Sequence, residues 1–184
     1  MKISFTGSHS SGKSTLLKKC TEHYGNKFTY VHEVTRPAKE LGLTINEWGD
    51  DTTQTWILGQ HLKNDEIEGD VIMDRCFIDG WVYTTWLYNQ KSVTDAVKDA
   101  YDNIWPRMSQ QLDLVFFTEP VKLENDGVRS TSEVFREGVQ SLFETQITLM
   151  EEDENFKGKV VRLKGDVETR FKDIKIAIGE LENV

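Results

Sequence analysis

Short apolar runs recur along the chain, separated by longer stretches with helical spacing. Five of the runs are rich in β-branched and aromatic residues and apolar enough for strands of a buried parallel sheet. They lie at residues 2–6, 27–33, 71–74, 114–119 and 159–164. The intervals predict helices over roughly 13–24, 45–68, 77–90, 93–110, 131–153 and 166–182. This alternation predicts an α/β fold with a doubly wound, five-stranded, mostly parallel sheet that carries helices on both faces.

Two of the predicted helices begin with a capping-box pattern, in which a Ser or Thr is followed three residues later by Glu. The pattern starts at Thr44 ahead of the helix at 45–68 and at Ser130 ahead of the helix at 131–153. Because the 184 residues are enough to bury one substantial core, we expect a single domain spanning residues 1–184.

The first predicted strand leads into GSHSSGKST at residues 7–15, which matches the pattern G-x-x-x-x-G-K-[ST] between a strand and a helix. The two glycines let the loop curl so that backbone N–H groups face an anion, and the lysine adds a positive charge. The serine hydroxyl after the lysine is a ligand for Mg²⁺, with the following threonine as the alternative. We therefore predict a phosphate-binding loop for ATP formed by Gly7, Ser8, His9, Ser10, Ser11, Gly12, Lys13, Ser14 and Thr15.

Charged residues follow most of the predicted strands, at the sheet edge where open α/β folds bind ligands. The second strand ends at Glu33 with Arg36 three residues later, and the third ends at Asp74 and Arg75. A carboxylate at such a position suits a metal's water shell or accepts a hydroxyl proton, so Asp74 is a candidate metal ligand and both acids are candidate bases. The arginines are candidate substrate contacts. Solvated strand ends, and for Arg36 a surface ion pair, are the alternative interpretations.

The segment at 120–131, which contains PVKLENDGVRS, has the composition of a loop that closes over a substrate, with Gly127 as a pivot. Phosphoryl transfer spreads negative charge over the moving group, and an arginine on such a lid stabilises this charge while water is excluded. Arg129 is the candidate for that role. An ordinary polar linker is the alternative interpretation of the segment.

Aromatic residues are concentrated beside the expected acceptor cleft, at Trp48, Trp56, Phe77, Trp81, Tyr83, Trp86 and Tyr88. A ring stacked on a nucleobase contributes contact area with little loss of entropy. Phe77 and Trp81 are therefore candidate substrate contacts, although aromatic residues at helical spacing more often belong to the core.

Composition narrows the classes of partner. The formal net charge is −9 and no run exceeds two consecutive Lys or Arg, which disfavours a nucleic-acid backbone as ligand. A small anion accompanied by Mg²⁺ needs only a few local positive groups. The longest apolar runs are too short to cross a membrane, so we expect a cytoplasmic protein. Cys20 and Cys76 predict reduced thiols rather than a disulfide or a zinc site.

Four motifs occur in a fixed order over nearly the full length: GSHSSGKST, Glu33-Val-Thr-Arg36, Asp74-Arg75-Cys76 and Asp126-Gly-Val-Arg129-Ser130. This combination resembles the P-loop nucleoside and nucleotide kinases. The second and fourth motifs, with Leu58-Gly59-Gln60, are similar to the ribosylnicotinamide kinase branch. The third is more similar to thymidylate and deoxynucleoside kinases, although VTRPAKELG replaces the double-glycine motif of thymidylate kinases. The acceptor therefore stays open between these branches.

The resemblance implies a P-loop NTPase fold in which ATP is the phosphoryl donor and Mg²⁺ assists. It implies that Lys13 and the rest of the loop bind the ATP phosphates, and that Arg129 is the lid arginine. The turn after the fifth strand, which contains Gly165, would approach adenine through its backbone. By analogy with many nucleotide kinases, the aromatic-rich region at 77–108 is a candidate surface for a homodimer.

On the acceptor side, the resemblance implies that Arg75 contacts the acceptor or the transferred phosphate and that Glu33 or Asp74 activates the acceptor hydroxyl. The predicted reaction transfers the γ-phosphoryl group of ATP to a nucleoside or nucleoside monophosphate. A nucleoside hydroxyl would use Glu33 as base, whereas a monophosphate would be clamped by Arg36 and Arg75. Two other functions stay open: a P-loop ATPase that acts with a protein partner, and a kinase for a nucleotide within a polynucleotide.

Overall fold

The computed structural model describes residues 1–120 and 132–182. Almost all of the predicted lid segment, including Gly127 and Arg129, lies outside the described residues, as does Ser130. Among the described helices, none combines the length and apolar character that crossing a membrane requires.

Five strands form one sheet in the order β2-β3-β1-β4-β5, and all four strand pairings are parallel. The strands are β1 (Lys2–Thr6), β2 (Thr29–Val31), β3 (Val71–Asp74), β4 (Leu114–Thr118) and β5 (Lys159–Leu163). The central strand β1 lies between β3 and β4, so the loop after it opens at the middle of the carboxyl edge. The predicted α/β fold with a five-stranded sheet is confirmed, and the sheet is parallel throughout.

Seven α-helices flank the described part of this sheet. They are α1 (Lys13–Tyr24), α2 (Thr35–Glu40), α3 (Asp51–Asp65), α4 (Phe77–Asn89), α5 (Asp95–Ser109), α6 (Glu133–Glu152) and α7 (Val167–Glu182). Helices α1 and α7 cover one face together, and α4 and α6 cover the other.

Successive residues of the central strands enter opposite cores, because side chains of a strand alternate between its two faces. Phe116 of β4 packs into the core beneath α1 and α7, whereas its neighbour Phe117 packs into the core beneath α4 and α6. Both are fully buried. The strands therefore read as continuous apolar runs rather than as alternating patterns.

The prediction of a helix over 45–68 is wrong for its first residues, which are not α-helical. Asn46 adopts a positive φ of 59°, and residues Asn46–Trp48 form a short 3-10 turn instead. Helix α3 begins only at Asp51, where the side chain of Asp50 accepts a hydrogen bond from Thr53 N at 2.9 Å. Thr44 is not the helix cap, and its carbonyl accepts from the Thr53 hydroxyl at 2.7 Å.

Two other helix starts differ from the prediction. Helix α2 was not predicted, and it accommodates Pro37 because the first N–H groups of a helix have no intrahelical partner. Helix α6 is capped by Ser132, whose hydroxyl accepts from Phe135 N at 3.3 Å. The predicted cap at Ser130 is therefore two residues too early.

Candidate active site

The loop between β1 and α1 is tightly buried at the middle of the carboxyl edge. Residues Ser8, His9, Ser10 and Ser11 are all at most 4% exposed. Gly7 has a φ of 133°, and a Cβ atom there would lie 2.7 Å from the carbonyl oxygen of Thr118 at the end of β4. Only glycine fits this close approach, which explains the first fixed position of the motif.

Lys13 folds back into this loop. Its ammonium group donates to the carbonyls of Gly7 and Ser8 at 2.8 and 2.7 Å and to the Ser11 hydroxyl at 2.9 Å. Burial, assisted by the charge of Arg75, lowers the pKa of Lys13 from 10.5 to about 7. A bound polyphosphate would favour the charged ammonium form, because an opposite charge nearby raises the pKa of a lysine.

Buried oxygen atoms without partners surround the lysine. The hydroxyls of Ser8 and Ser10 and Oδ1 of Asp74 have no hydrogen-bond partner among the described residues. Unpaired buried polar atoms are rare in native proteins and are typical of sites that take a ligand, an ion or water. The surroundings of the loop are therefore suited to a polar ligand.

The predicted metal ligands Ser14 and Asp74 lie together. The Ser14 hydroxyl donates to Oδ2 of Asp74 at 2.5 Å, and the other carboxylate oxygen is one of the unpaired atoms. Mg²⁺ binds a few protein oxygens and completes its shell with phosphates and water, so this pair fits the predicted ion. Ser14 and the alternative ligand Thr15 are both exposed on α1, and of the two it is Ser14 that contacts Asp74. The described residues contain no cluster of three His, Cys, Asp or Glu that would hold a metal without a substrate.

Arg75 joins the loop to the residues that were predicted to contact the acceptor. It has a positive φ of 78°, and its guanidinium donates to Oδ1 of Asp79 at 2.8 Å and to the carbonyl of Gly7 at 3.2 Å. Nε lies 3.4 Å from a carboxylate oxygen of Glu33, and the guanidinium packs over the ring of Tyr83 at 5.4 Å. Sequence reasoning did not place these groups around one arginine.

Asp79 is the acidic residue that sequence reasoning missed. It is 2% exposed, and besides Arg75 it accepts from the Thr6 hydroxyl at 2.9 Å and from Cys76 N at 3.2 Å. Desolvation by burial raises the pKa of this carboxyl. The sequence did contain a pattern that indicates this residue, because Cys76 and Asp79 have the spacing of a capping box in which cysteine is the cap.

Glu33 stands at the rim of the cleft in a positive field. Burial would raise the pKa of Glu33, but the charges of Arg75, Lys13 and Arg36 outweigh burial and hold the pKa below its ordinary value of 4.5. Arg36 lies 3.3 Å from the Glu33 carboxylate with about half of its side chain exposed, 49%. Glu33 is therefore ionised at neutral pH and able to accept a proton.

These groups border a cleft beside the loop. Its volume is about 610 Å³ when the space at its open mouth is included. Its walls come from the loop after β2, from α3 and from α4. The lining residues include His9, Glu33, Val34, Thr35, Ile45, Asn46, Gln54, Ile57, His61, Arg75, Asp79, Gly80 and Tyr83. His9 belongs to both regions, because its Nδ1 lies 3.5 Å from the Tyr83 hydroxyl.

Phe77 and Trp81, the predicted aromatic contacts, do not line this cleft. Phe77 is 3% exposed and stacks on Tyr101 with ring centroids 5.4 Å apart. Trp81 packs against Trp105 and donates its indole N–H to Asp102 at 2.7 Å. Both rings pack against α5, as their helical spacing allowed, and Tyr83 is the aromatic ring at the cleft.

The predicted adenine side is the turn after β5. Gly165 has a φ of 83°, and its carbonyl accepts from Nε of Arg170 at 2.8 Å. The same guanidinium donates to the carbonyl of Ser11 at 2.9 Å. The turn is therefore attached directly to the phosphate loop through an arginine that sequence reasoning did not select.

Comparison with known proteins supports the architecture. The family model AAA_28, described as an AAA domain, matches residues 2–170. Deoxyadenosine kinase from M. mycoides, with dCMP and a flexible dCDP bound, is similar with a TM-score of 0.75 at 18% identity over 98% of this chain and 100% of that chain. NadR in complex with NR has a TM-score of 0.74 at 19% identity over 100% of this chain.

The match covers 52% of NadR, so this chain spans about half the length of that protein. No curated protein matches the sequence. At identities below one fifth, the two structures show that this chain shares their fold, and together with the family match the predicted resemblance is confirmed.

Proposed function

The chain belongs to the AAA_28 family of AAA domains, and from this premise we propose that it is an ATP- and Mg²⁺-dependent kinase whose acceptor is a nucleoside. The observation that carries the proposal is the meeting of Glu33, Arg75 and Asp79 in one cleft beside the phosphate loop. A loop that only hydrolysed ATP would not require this second, charged cleft. The deoxyadenosine kinase structure holds the products dCMP and dCDP, and the NadR structure holds NR, so both contain ligands of the nucleoside and nucleotide class.

The formal charges of the cleft favour a neutral acceptor. Within the cleft, Arg75 is paired with both Glu33 and Asp79, and Arg36, which lies outside the lining with about half of its side chain exposed, also contacts Glu33. Because each arginine already contacts a carboxylate, a dianionic monophosphate would gain little from them. A nucleoside carries no charge that needs a partner, and its hydroxyl is the group for which a carboxylate base is useful.

In the proposed reaction, a carboxylate oxygen of Glu33 takes the proton of the acceptor hydroxyl as that oxygen bonds to the γ-phosphorus of ATP. The bond between the γ-phosphorus and the β,γ-bridging oxygen breaks, and ADP leaves. Lys13 and the backbone N–H groups of the loop hold the phosphates. Asp79 orients Arg75 toward the loop. Ser14 and Asp74 would hold Mg²⁺, which neutralises charge on the β- and γ-phosphate oxygens when bound.

The ring of the acceptor would lie against the walls formed by α3 and α4. The Thr84 hydroxyl donates to Oε1 of Gln54 at 2.9 Å and fixes the amide of this side chain at the cleft. Tyr83 and Ile57 add flat and aliphatic surface to the same walls. An amide between apolar walls suits a ring that is apolar on its faces and polar at its edge.

The proposal is tested by measuring ATP consumption with Mg²⁺ against a panel of acceptors, with the masses of the products recorded. The panel holds nucleosides, their 5′-monophosphates, ribosylnicotinamide and a short single-stranded oligonucleotide. We expect one nucleoside-class acceptor to gain the mass of one phosphoryl group. Hydrolysis without an acceptor would instead favour a P-loop ATPase. Phosphorylation of the oligonucleotide alone would favour a polynucleotide kinase, and phosphorylation of a monophosphate alone would favour a nucleoside monophosphate kinase.

The role of Glu33 is tested by the variant Glu33→Gln, which keeps the size of the side chain and removes its basicity. We expect kcat to fall by about a hundredfold or more, because general bases contribute this much to proton transfer. The KM for ATP should change little. Glu40→Gln, an exposed glutamate at the end of α2, is the matched control and should retain wild-type kcat. Equal kcat in both variants would exclude Glu33 as the base.

A further inference from the structure

Arg170 is a buried arginine in the first turns of α7, on the far side of the phosphate loop from the acceptor cleft. It is 4% exposed. Nε donates to the carbonyl of Gly165 at 2.8 Å, and Nη1 donates to the carbonyls of Ser11 at 2.9 Å and Glu119 at 3.3 Å. One guanidinium thus connects the turn after β5, the phosphate loop and the end of β4.

These partners are unusual for a buried cation. Among the described residues, no carboxylate lies within ion-pair distance of Arg170, and all three acceptors are backbone carbonyls. Burying a guanidinium costs free energy that an apolar side chain in the same place would avoid. The planar guanidinium, however, holds three backbone segments in a fixed arrangement through its several N–H donors. A lysine or an apolar residue cannot do this.

The bond to Ser11 determines the direction of the next amide. The carbonyl of Ser11 and the N–H of Gly12 belong to one peptide unit, and none of the described peptide bonds is cis. In a trans peptide these two groups point in opposite directions. Holding the Ser11 carbonyl toward Arg170 therefore turns the Gly12 N–H away from α7.

The Gly12 N–H has no acceptor among the described residues, although it lies at the N-terminus of α1. Such N–H groups are the donors that bind phosphate oxygens at helix N-termini. Two buried hydroxyls of the same loop, on Ser8 and Ser10, are also without described partners. The loop thus holds several unused polar groups for an anion, and Arg170 determines the direction of one of them.

We propose that Arg170 is a positioning residue of the donor site, which orients the Ser11–Gly12 peptide so that the Gly12 N–H meets a phosphate oxygen of ATP. This inference rests on the proposed function, because it requires ATP in the loop. Arg170 acts through the peptide and does not itself touch the nucleotide. Its bond to Gly165 also fixes the spacing between the predicted adenine side and the phosphate loop.

The experiment measures the affinity for Mg-ATP by calorimetry and the Gly12 amide in ¹H–¹⁵N spectra, using the full chain. In the unaltered protein we expect the Gly12 amide signal to move on addition of Mg-ATP. In Arg170→Gln this movement should be lost and binding should weaken about tenfold or more, the loss typical of a charge-assisted hydrogen bond. The KM for ATP should rise more than kcat falls.

Two further variants make the test specific. Arg170→Lys keeps the positive charge but loses the planar set of guanidinium donors, so its Mg-ATP affinity should remain several-fold below that of the unaltered protein. If Arg170→Gln folds poorly, Arg170→Lys replaces it as the test variant. Lys172→Gln removes an exposed charge from the same helix and should bind like the unaltered protein. Thermal unfolding identifies the folded variants.

Full affinity with a normal Gly12 shift in a folded Arg170→Gln, or complete rescue by Arg170→Lys, would overturn this inference alone. If the unaltered protein failed to bind Mg-ATP at all, the proposed function itself would be overturned, and this inference with it.

Discussion

His61 is a titratable side chain that is buried at the inner end of the proposed acceptor cleft, and among the described residues it forms no ion pair. It is 4% exposed and lines the cleft together with Arg75 and Gly80. Burial, and then the charge of Arg75, lower the pKa of His61 from 6.5 to about 3. The folded protein therefore holds a neutral imidazole at this position across the physiological pH range.

The low pKa of His61 predicts a specific loss of stability in mild acid. The unfolded chain takes up a proton near its ordinary pKa of 6.5, while the folded protein does so only near about 3, so stability is lost as pH falls between these values. Relative to His61→Gln, the free energy of unfolding of the wild type should fall about 1.4 kcal/mol more per pH unit in this window. Urea unfolding at a series of pH values measures the slopes.

Thr55→Ala, an uncharged substitution on the exposed side of the same helix as His61, is the control for this experiment and should keep the wild-type slope. Parallel slopes for wild type and His61→Gln would show that His61 titrates in the folded protein as it does in the unfolded chain.

Residues of the phosphate loop were predictable because their spacing is fixed by a local backbone shape. Glu33 and Asp74 were predictable from their place after apolar strands. Arg170 was not, since it meets Ser11 across 159 residues of sequence. His61 was missed for a similar reason, because only the packing of α3 against Gly80 of α4 brings it to the cleft. Local patterns identify local sites, and contacts between distant elements require the fold.

At the scale of the elements, two glycines should respond in opposite ways to substitution by alanine. Gly59 lies inside α3 with nothing within 4 Å of a Cβ atom, so Gly59→Ala should stabilise the protein by about 0.5–1 kcal/mol through helix propensity. Gly7→Ala should instead destabilise it by about 1–3 kcal/mol, because φ is 133° and Thr118 leaves no room. Thermal or urea unfolding measures both. A stabilised Gly7→Ala protein would contradict the observed loop geometry.

The strands and most helices follow from the hydrophobic pattern because each buries a continuous apolar surface. The pattern was misleading where a single residue redirects the backbone, as at Asn46 ahead of α3. It was also insufficient for α2, whose six residues are too few to establish a helical period. These irregular elements supply Thr35, Ile45 and Asn46 to the cleft. The part of the site at the ends of the strands was therefore easier to predict than the wall that these elements supply.

At the scale of the whole molecule, a net charge of −9 surrounds a cleft in which Arg75, Glu33 and Asp79 are paired with one another. Acidic protein repels anions at long range, and salt screens this repulsion over about 10 Å at 0.1 M ionic strength. A charged acceptor would therefore have a salt-dependent affinity, whereas a neutral nucleoside would not. The dependence on salt distinguishes the two classes of acceptor independently of the product.

We accordingly predict that the KM for the acceptor changes less than about twofold between roughly 0.05 and 0.5 M salt, at saturating ATP, because no net charge is buried when a nucleoside enters the cleft. The KM for ATP, measured in the same series, should shift clearly and so serves as the positive control, since ATP is a polyanion and would lie beside Lys13 in the proposed reaction. An acceptor KM that shifts several-fold with salt, in either direction, would mean that the acceptor is charged and that Arg36 and Arg75 exchange their carboxylate partners for it. In that case the acceptor is a monophosphate that the two arginines hold between them, and Glu33 does not act as the base.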